Sequence, residues 1–204
     1  MTALLSNLPP MTWVLVVCAV ALGWGLSWLV RWYRQRRARK ALIASITAAA
    51  VDSLVDILVP DGMGSSFHCD FVLLTPRGVV VIDLRDVSGN VFGGDQMDEW
   101  TVMDGAHRFT FVNPQGALYD RIAAVKALAG EIPVEGRIVF TRRAKFPKGL
   151  PKWTLMMDSL RSEFPPAEPA VVSSVTERFE EGWQSLKRSV APSSLTQVRP
   201  IAAP

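Results

Sequence analysis

His68-Cys-Asp-Phe-Val-Leu-Leu-Thr-Pro-Arg-Gly-Val-Val-Val-Ile-Asp-Leu-Arg85 is the stretch on which the reading of this chain turns. Two β-rich runs, His68–Leu74 and Val79–Leu84, flank Thr75-Pro76-Arg77-Gly78. Proline in the second position and glycine in the fourth form a type I turn, so the two runs close into a hairpin. With Thr75 opposite Gly78, stepping back along both strands sets Leu73 against Val80, Val72 against Val81 and Asp70 against Asp83. Residues two apart share a face. One face therefore carries His68, Asp70, Asp83 and Arg85 at one end and Val72, Leu74, Val79 and Val81 at the other. The opposite face, Phe71, Leu73, Val80, Ile82 and Leu84, is core.

Two carboxylates directly opposed across strands repel, and an apolar setting adds the cost of lost solvation. A hard divalent cation such as Mg²⁺ or Mn²⁺ removes both penalties, because it prefers paired carboxylate oxygens and water. Arg85 beside it can hold a phosphate or the charge developing at phosphorus. This arrangement suits metal-assisted phosphodiester hydrolysis. The plainer alternative is that the pair sits at a fraying hairpin end, with Arg85 neutralising Asp83 in a structural ion pair. His68 and His107 have no ligand spacing and read as ordinary polar residues.

Upstream of the hairpin, Leu42, Ile43, Ile46, Ala50, Leu54 and Leu58 recur at three- and four-residue steps. They predict an amphipathic helix over 41–58, broken by Pro60-Asp-Gly-Met-Gly-Ser-Ser66. Downstream, short strands are expected at Glu99–Met103 and His107–Val112, a helix at Tyr119–Leu128, a strand at Arg137–Thr141 and a short helix at Met157–Phe164. Pro165-Pro166 is read as the end of the compact part, leaving a helix at Val175–Ser189 and a disordered tail from Val190. The order favours an α/β domain over 41–164, a mixed β-sheet with flanking helices, followed by a C-terminal segment, 165–204.

The N-terminal end differs in kind. Residues 1–30 hold no charged residue and no histidine, and Met11–Val30 is almost wholly apolar. Twenty residues at ~1.5 Å each cover ~30 Å, the hydrocarbon thickness of a bilayer, so 11–30 is predicted to be a transmembrane helix. Trp13, Trp28, Trp32 and Tyr33 suit the headgroup boundaries. A cleaved signal peptide would place its basic residues before the apolar run, whereas here six cations follow it within Arg31–Lys40. The positive-inside rule then puts the N-terminus outside and the domain in the cytoplasm, at the inner membrane.

The overall charge of +3 conceals this split: outside 31–40, 16 cations face 19 acids. The basic segment fits anionic lipid headgroups better than a nucleic-acid backbone. Ala19, Gly23 and Ser27, spaced by four, form a small-residue stripe that permits a homodimer through the membrane helix. Cys18 in the span and Cys69 in the domain build no disulfide framework, which agrees with a reducing compartment.

The hairpin residues 68–85, together with Ser88-Gly89, Gly93-Gly94, Trp100 and Phe111-Val-Asn-Pro114 before a helix, resemble the NERD (nuclease-related) domain over about 51–141. The resemblance implies a restriction-endonuclease-like core of the PD-(D/E)XK nuclease type, often with a membrane helix. It implies that Asp70 and Asp83 are metal carboxylates and that Arg85 stands where the family has lysine. Asp52 and Asp56 are the candidates for the family's helix acid. The activity expected is Mg²⁺- or Mn²⁺-dependent cleavage of nucleic acid by a membrane-tethered protein. The alternative is a degenerate nuclease fold that binds nucleic acid or a protein without cleaving.

Overall fold

The computed structural model describes residues 10–166 and 168–193, and the chain divides into two units, 1–45 and 46–204. Helix α1, Pro10–Thr47, is continuous for 38 residues. Along it Leu22, Trp24, Leu26, Trp28 and Leu29 are exposed, and the Arg36 guanidinium lies 4.1 Å from the Trp32 ring centroid. Among the described residues no helix is long and apolar enough to cross a membrane. The predicted span 11–30 lies only partly within the residues whose surroundings are described.

In the second unit the hairpin is as read. Strands β2 (Ser66–Thr75) and β3 (Gly78–Arg85) pair antiparallel with Thr75 opposite Gly78, Val72 opposite Val81 and Phe71 opposite Ile82. The Thr75 hydroxyl donates to Gly78 O at 2.9 Å and fixes the turn. Gly78 has φ +126, and a Cβ there would sit 2.3 Å from Pro133 O, so only glycine fits.

The helix expected over 41–58 is corrected: α1 ends at Thr47, and Asp52–Pro60 is strand β1. Ile57 and Val59 alternate into the core, as β-branched residues in a strand favour, with Leu54 packed on the same cluster before the distortion at Asp56. Eight residue pairs with β2 outweigh the helical spacing of Leu54 and Leu58. Asp52 and Asp56, offered as helix acids, are therefore strand residues.

After β3 come β4 (Gly89–Phe92), β5 (Glu99–Asp104), β6 (His107–Val112), helix α2 (Pro114–Ala129) and β7 (Val134–Phe140). Then follow β8 (Ala144–Lys145), β9 (Thr154–Met156), a 3₁₀ turn at Met157–Ser159, α3 (Leu160–Glu163), α4 (Pro169–Ser189) and β10 (Ala191–Pro192). The larger sheet runs β10-β1-β2-β3-β7-β9, antiparallel up to β3 and parallel from β3 to β9. The smaller runs β6-β5-β4-β8, its last pair parallel. Both are mixed sheets, so the chain is α/β as expected.

The compact part does not stop at Pro165-Pro166. Val175, Phe179, Trp183 and Leu186 of α4 are buried in the same cluster as Val79, Val81, Leu118, Val125 and Phe140. Gly182 lets α4 approach α2 closely: a Cβ there would meet Ala129 O at 2.3 Å. Trp183 Nε1 donates to Asp52 Oδ2 at 2.9 Å, and Lys187 pairs with the same oxygen. An amphipathic helix after two prolines reads as a separate tail; here its apolar stripe covers the ends of α2 and β1. Of the tail expected to be disordered, 191–192 pair with β1, and 194–204 lie outside the described residues.

Candidate functional site

Three aspartates occupy one row across β1, β2 and β3. Val55 faces Phe71 and Ile57 faces Cys69, so Asp56 stands opposite Asp70; Phe71 faces Ile82, so Asp70 stands opposite Asp83. Neither ladder includes these pairs. At Asp56 the strand is distorted, with φ +57, and its carbonyl accepts from Ser193 N at 2.8 Å. A left-handed residue inside a strand costs on the order of 1–3 kcal/mol, less for Asp than for most. Between β2 and β3 the Asp70 side chain takes over from the backbone: its Oδ2 accepts the Leu84 N–H at 2.8 Å.

Asp83 lies on the central strand with its side chain only 4% exposed. Its Oδ2 accepts from Arg85 Nη2 at 2.7 Å and from Arg121 Nη1 at 3.1 Å. Arg121, on α2, also donates from Nε to His68 O at 2.6 Å, so one guanidinium ties β2 to β3. Two cations on one oxygen explain how a carboxylate is accommodated so deeply. A charge buried this far persists when it is paired and hydrogen-bonded.

Asp70 is compensated less well. Burial, and after it the neighbouring Asp83 charge, raise its pKa above the ordinary carboxylate value. The Leu84 N–H, His68 and Arg121 oppose that rise without cancelling it. His68 stands between two acids, with Nε2 2.7 Å from Asp56 Oδ1 and Nδ1 3.7 Å from Asp70 Oδ1. Cys69 is buried, and its thiol pKa is pushed up to about 12, so it is no nucleophile.

Of the residues expected here, the structure brings together Asp70, Asp83 and Arg85. Asp56 joins them through His68, from a strand and not a helix. Asp52 does not; its carboxylate is held by α4. The reading of the sequence missed Arg121. Its signal was a cation set into an apolar helical stripe, three residues after Leu118 and four before Val125.

It also passed over Gln115, which directly follows Asn113-Pro114. Asn113 caps α2, accepting the Gln115 N–H at 3.0 Å. Buried Gln115 donates to Asp95 Oδ1 at 2.9 Å and Lys152 O at 3.0 Å. It thereby pins the start of α2 to two loops. The motif glycines act on the fold: Gly93 lies flat on the Trp100 indole, where a Cβ would come within 2.4 Å of the ring.

A divalent cation at Asp70 and Asp83 would have to share Asp83 with two guanidinium groups. Each lies within 3.1 Å of the carboxylate oxygen and repels a further positive charge. Among the described residues no group of three or more His, Cys, Asp or Glu side chains could hold a metal ion. The donors present thus complete the site with arginine and leave it poorly matched to Mg²⁺ or Mn²⁺. Meanwhile Arg85 Nε is a buried donor without an acceptor among the described residues.

Comparison with known proteins agrees with the hairpin reading. No curated protein matches the chain, and no solved structure does. The family model of the nuclease-related domain, NERD, matches residues 34–141, which take in β1 to β7 and both arginines of the site, and the chain belongs to the nuclease-related domain family.

Proposed function

We infer that this chain is a membrane-tethered nuclease-related domain that binds nucleic acid without cleaving it through a divalent metal. The observation that carries this reading is the double arginine clamp on Asp83. A lysine at position 85 would present a compact charge able to shift its pKa, whereas guanidinium stays protonated and spans the carboxylate as a fork. The clamp neutralises the charge that a metal would otherwise balance. Arg85 and Arg121, 23% and 20% exposed, keep part of their side chains open to solvent, where a phosphodiester oxygen can approach a guanidinium.

Tethering is supported by the uncharged run 11–30 followed by six cations in 31–40. In this reading the apolar run is the anchor, the basic segment meets anionic headgroups, and the domain lies in the cytoplasm. A reporter fused after Pro204 is then protected from external protease in intact cells.

The test of function is direct. The full chain in micelles is incubated with labelled single- and double-stranded DNA and RNA, with Mg²⁺ or Mn²⁺. Retention of the oligonucleotides without cleavage is expected, with affinity falling steeply as salt rises. Metal-dependent cleavage that disappears in Asp83→Asn would restore the hydrolase reading. Absence of both binding and cleavage would leave the fold a protein-binding module.

A further inference from the structure

A second surface is built on residues 142–153. The segment Arg142-Arg-Ala-Lys-Phe-Pro-Lys-Gly-Leu-Pro-Lys152 holds five cations and no acid, although the chain beyond residue 40 is acidic on balance. Arg142 and Arg143 pair with Asp158 and Asp86. Lys145, Lys148 and Lys152 are exposed, and among the described residues none of them is in an ion pair with Asp86 or Asp158. Lys148 Nζ lies 5.9 Å from the Phe92 ring centroid. At the end of the loop the Asp95 carboxylate accepts from the Lys152 N–H and Gln115.

The loop ends in Trp153, which is 38% exposed and held at φ +55, a backbone region that bulky side chains rarely enter. Three backbone N–H groups hold this segment in place: Lys152 N donates to the Asp95 carboxylate, Thr154 N to Pro151 O, and Ile138 N to Trp153 O. Its ring meets Tyr119 of α2 edge to face, with centroids 4.7 Å apart, and Tyr119 is 52% exposed. The strained backbone has an energetic cost, and it sets the indole against Tyr119 with more than a third of its surface open to solvent.

We propose that Tyr119 and Trp153 form a base-stacking platform, flanked by the 142–152 cations, that takes single-stranded nucleic acid. This rests on the nucleic-acid reading above and names its substrate class. Stacking requires an unpaired base face, which a single strand offers and a duplex withholds. The cations follow the strand's phosphates without reading sequence. Platform and carboxylate site lie on different sides of α2: Tyr119 and Arg121 are two residues apart, and only the Arg121 guanidinium reaches Asp83. Residues 141–143 leave from beside Arg85, with Thr141 N donating to Arg85 O at 3.0 Å. One strand lying along this loop from Trp153 back to Arg142 would approach the Arg85 end of β3.

The test is fluorescence anisotropy of labelled oligo-dT, oligo-rU and a matched duplex with the full chain in micelles. Tighter binding of the single strands is expected. Tyr119→Ala and Trp153→Gly should each weaken it about 5- to 150-fold, and Trp153→Phe should largely restore it. Glycine at 153 relieves the positive φ, so that variant keeps its fold, which its melting temperature checks. Lys148→Ala and Lys152→Ala should each reduce the salt slope by about 0.7. Equal binding of strand and duplex, unchanged in Trp153→Gly, would overturn the platform and leave nucleic-acid binding standing. No binding of any oligonucleotide overturns both. Loss in Trp153→Gly of binding to phosphatidylserine vesicles, with oligonucleotide binding unaffected, assigns the surface to lipid and overturns the proposal.

Discussion

Replacing Asp83 by asparagine removes a charge and leaves Arg85 and Arg121 in place, and the structure fixes both sign and size. The carboxylate accepts two charge-assisted bonds at 2.7 and 3.1 Å while 4% exposed. Removing one partner of a buried ion pair costs about 3–5 kcal/mol because the remaining charge is uncompensated. The two guanidinium groups are 23% and 20% exposed, so water recovers part of that. Relief of the repulsion between Asp83 and Asp70 recovers a little more. A net loss of about 2–3 kcal/mol follows, which for a domain of this size lowers Tm by about 4–12 °C. Thermal melts of the full chain in micelles measure it, with and without Mg²⁺. If the site instead held a metal, the same change would relieve two opposed carboxylates and leave the apo protein equally or more stable. An unchanged or raised Tm, or a parent stabilised by Mg²⁺, would refute the arginine clamp.

Asp70→Asn should act in the opposite direction. The folded-state pKa of Asp70 is raised, so above it the ionised group subtracts stability, a loss that is regained as pH falls through that pKa toward the unfolded value. The variant should melt higher at pH 7 and lose its advantage below pH ~4; equal melting at neutral pH would show that the carboxylate is not strained. Gly182→Val should prise α4 from α2, destabilising the domain by more than ~2 kcal/mol, with hydrogen exchange rising in α4 and β1 together; exchange confined to α4 would show that the two do not form one cooperative unit.

The hairpin was legible because its turn residues set the register of both strands, and the register alone placed Asp70 against Asp83. The family resemblance then brought in Gly89, Gly93 and Trp100, which the structure shows packing the second sheet. What stayed hidden depends on distant pairing. Residues 52–60 carry a helical spacing and a strand alternation at once, and only the partner strand decides between them. Arg121 reaches Asp83 from 38 positions away, a distance that local pattern does not encode. The two-residue strands β8 and β10 are too short to leave any periodicity. The ion pair of Arg85 with Asp83, read from the sequence as the plainer alternative, is the arrangement found.

β10 guards an edge. It pairs with Ile57 and Leu58 of β1, and Ser193 just after it bonds Asp56 O; among the described residues no other strand lies on that side of β1 in the larger sheet. Without β10, Val55, Ile57 and Val59 would line an open ladder, the kind of template on which a second chain can add. The Asp52 bonds to Trp183 and Lys187 join positions 131 and 135 residues apart, so α4 and β10 can dock only after the intervening chain has been made. Closing so long a loop adds little to the equilibrium cost, since each doubling costs only ~0.6 kcal/mol, but contacts this distant form slowly. Until they form, β1 is the part of this protein most exposed to self-association, and a chain cut short before Ala191 would stay in that state.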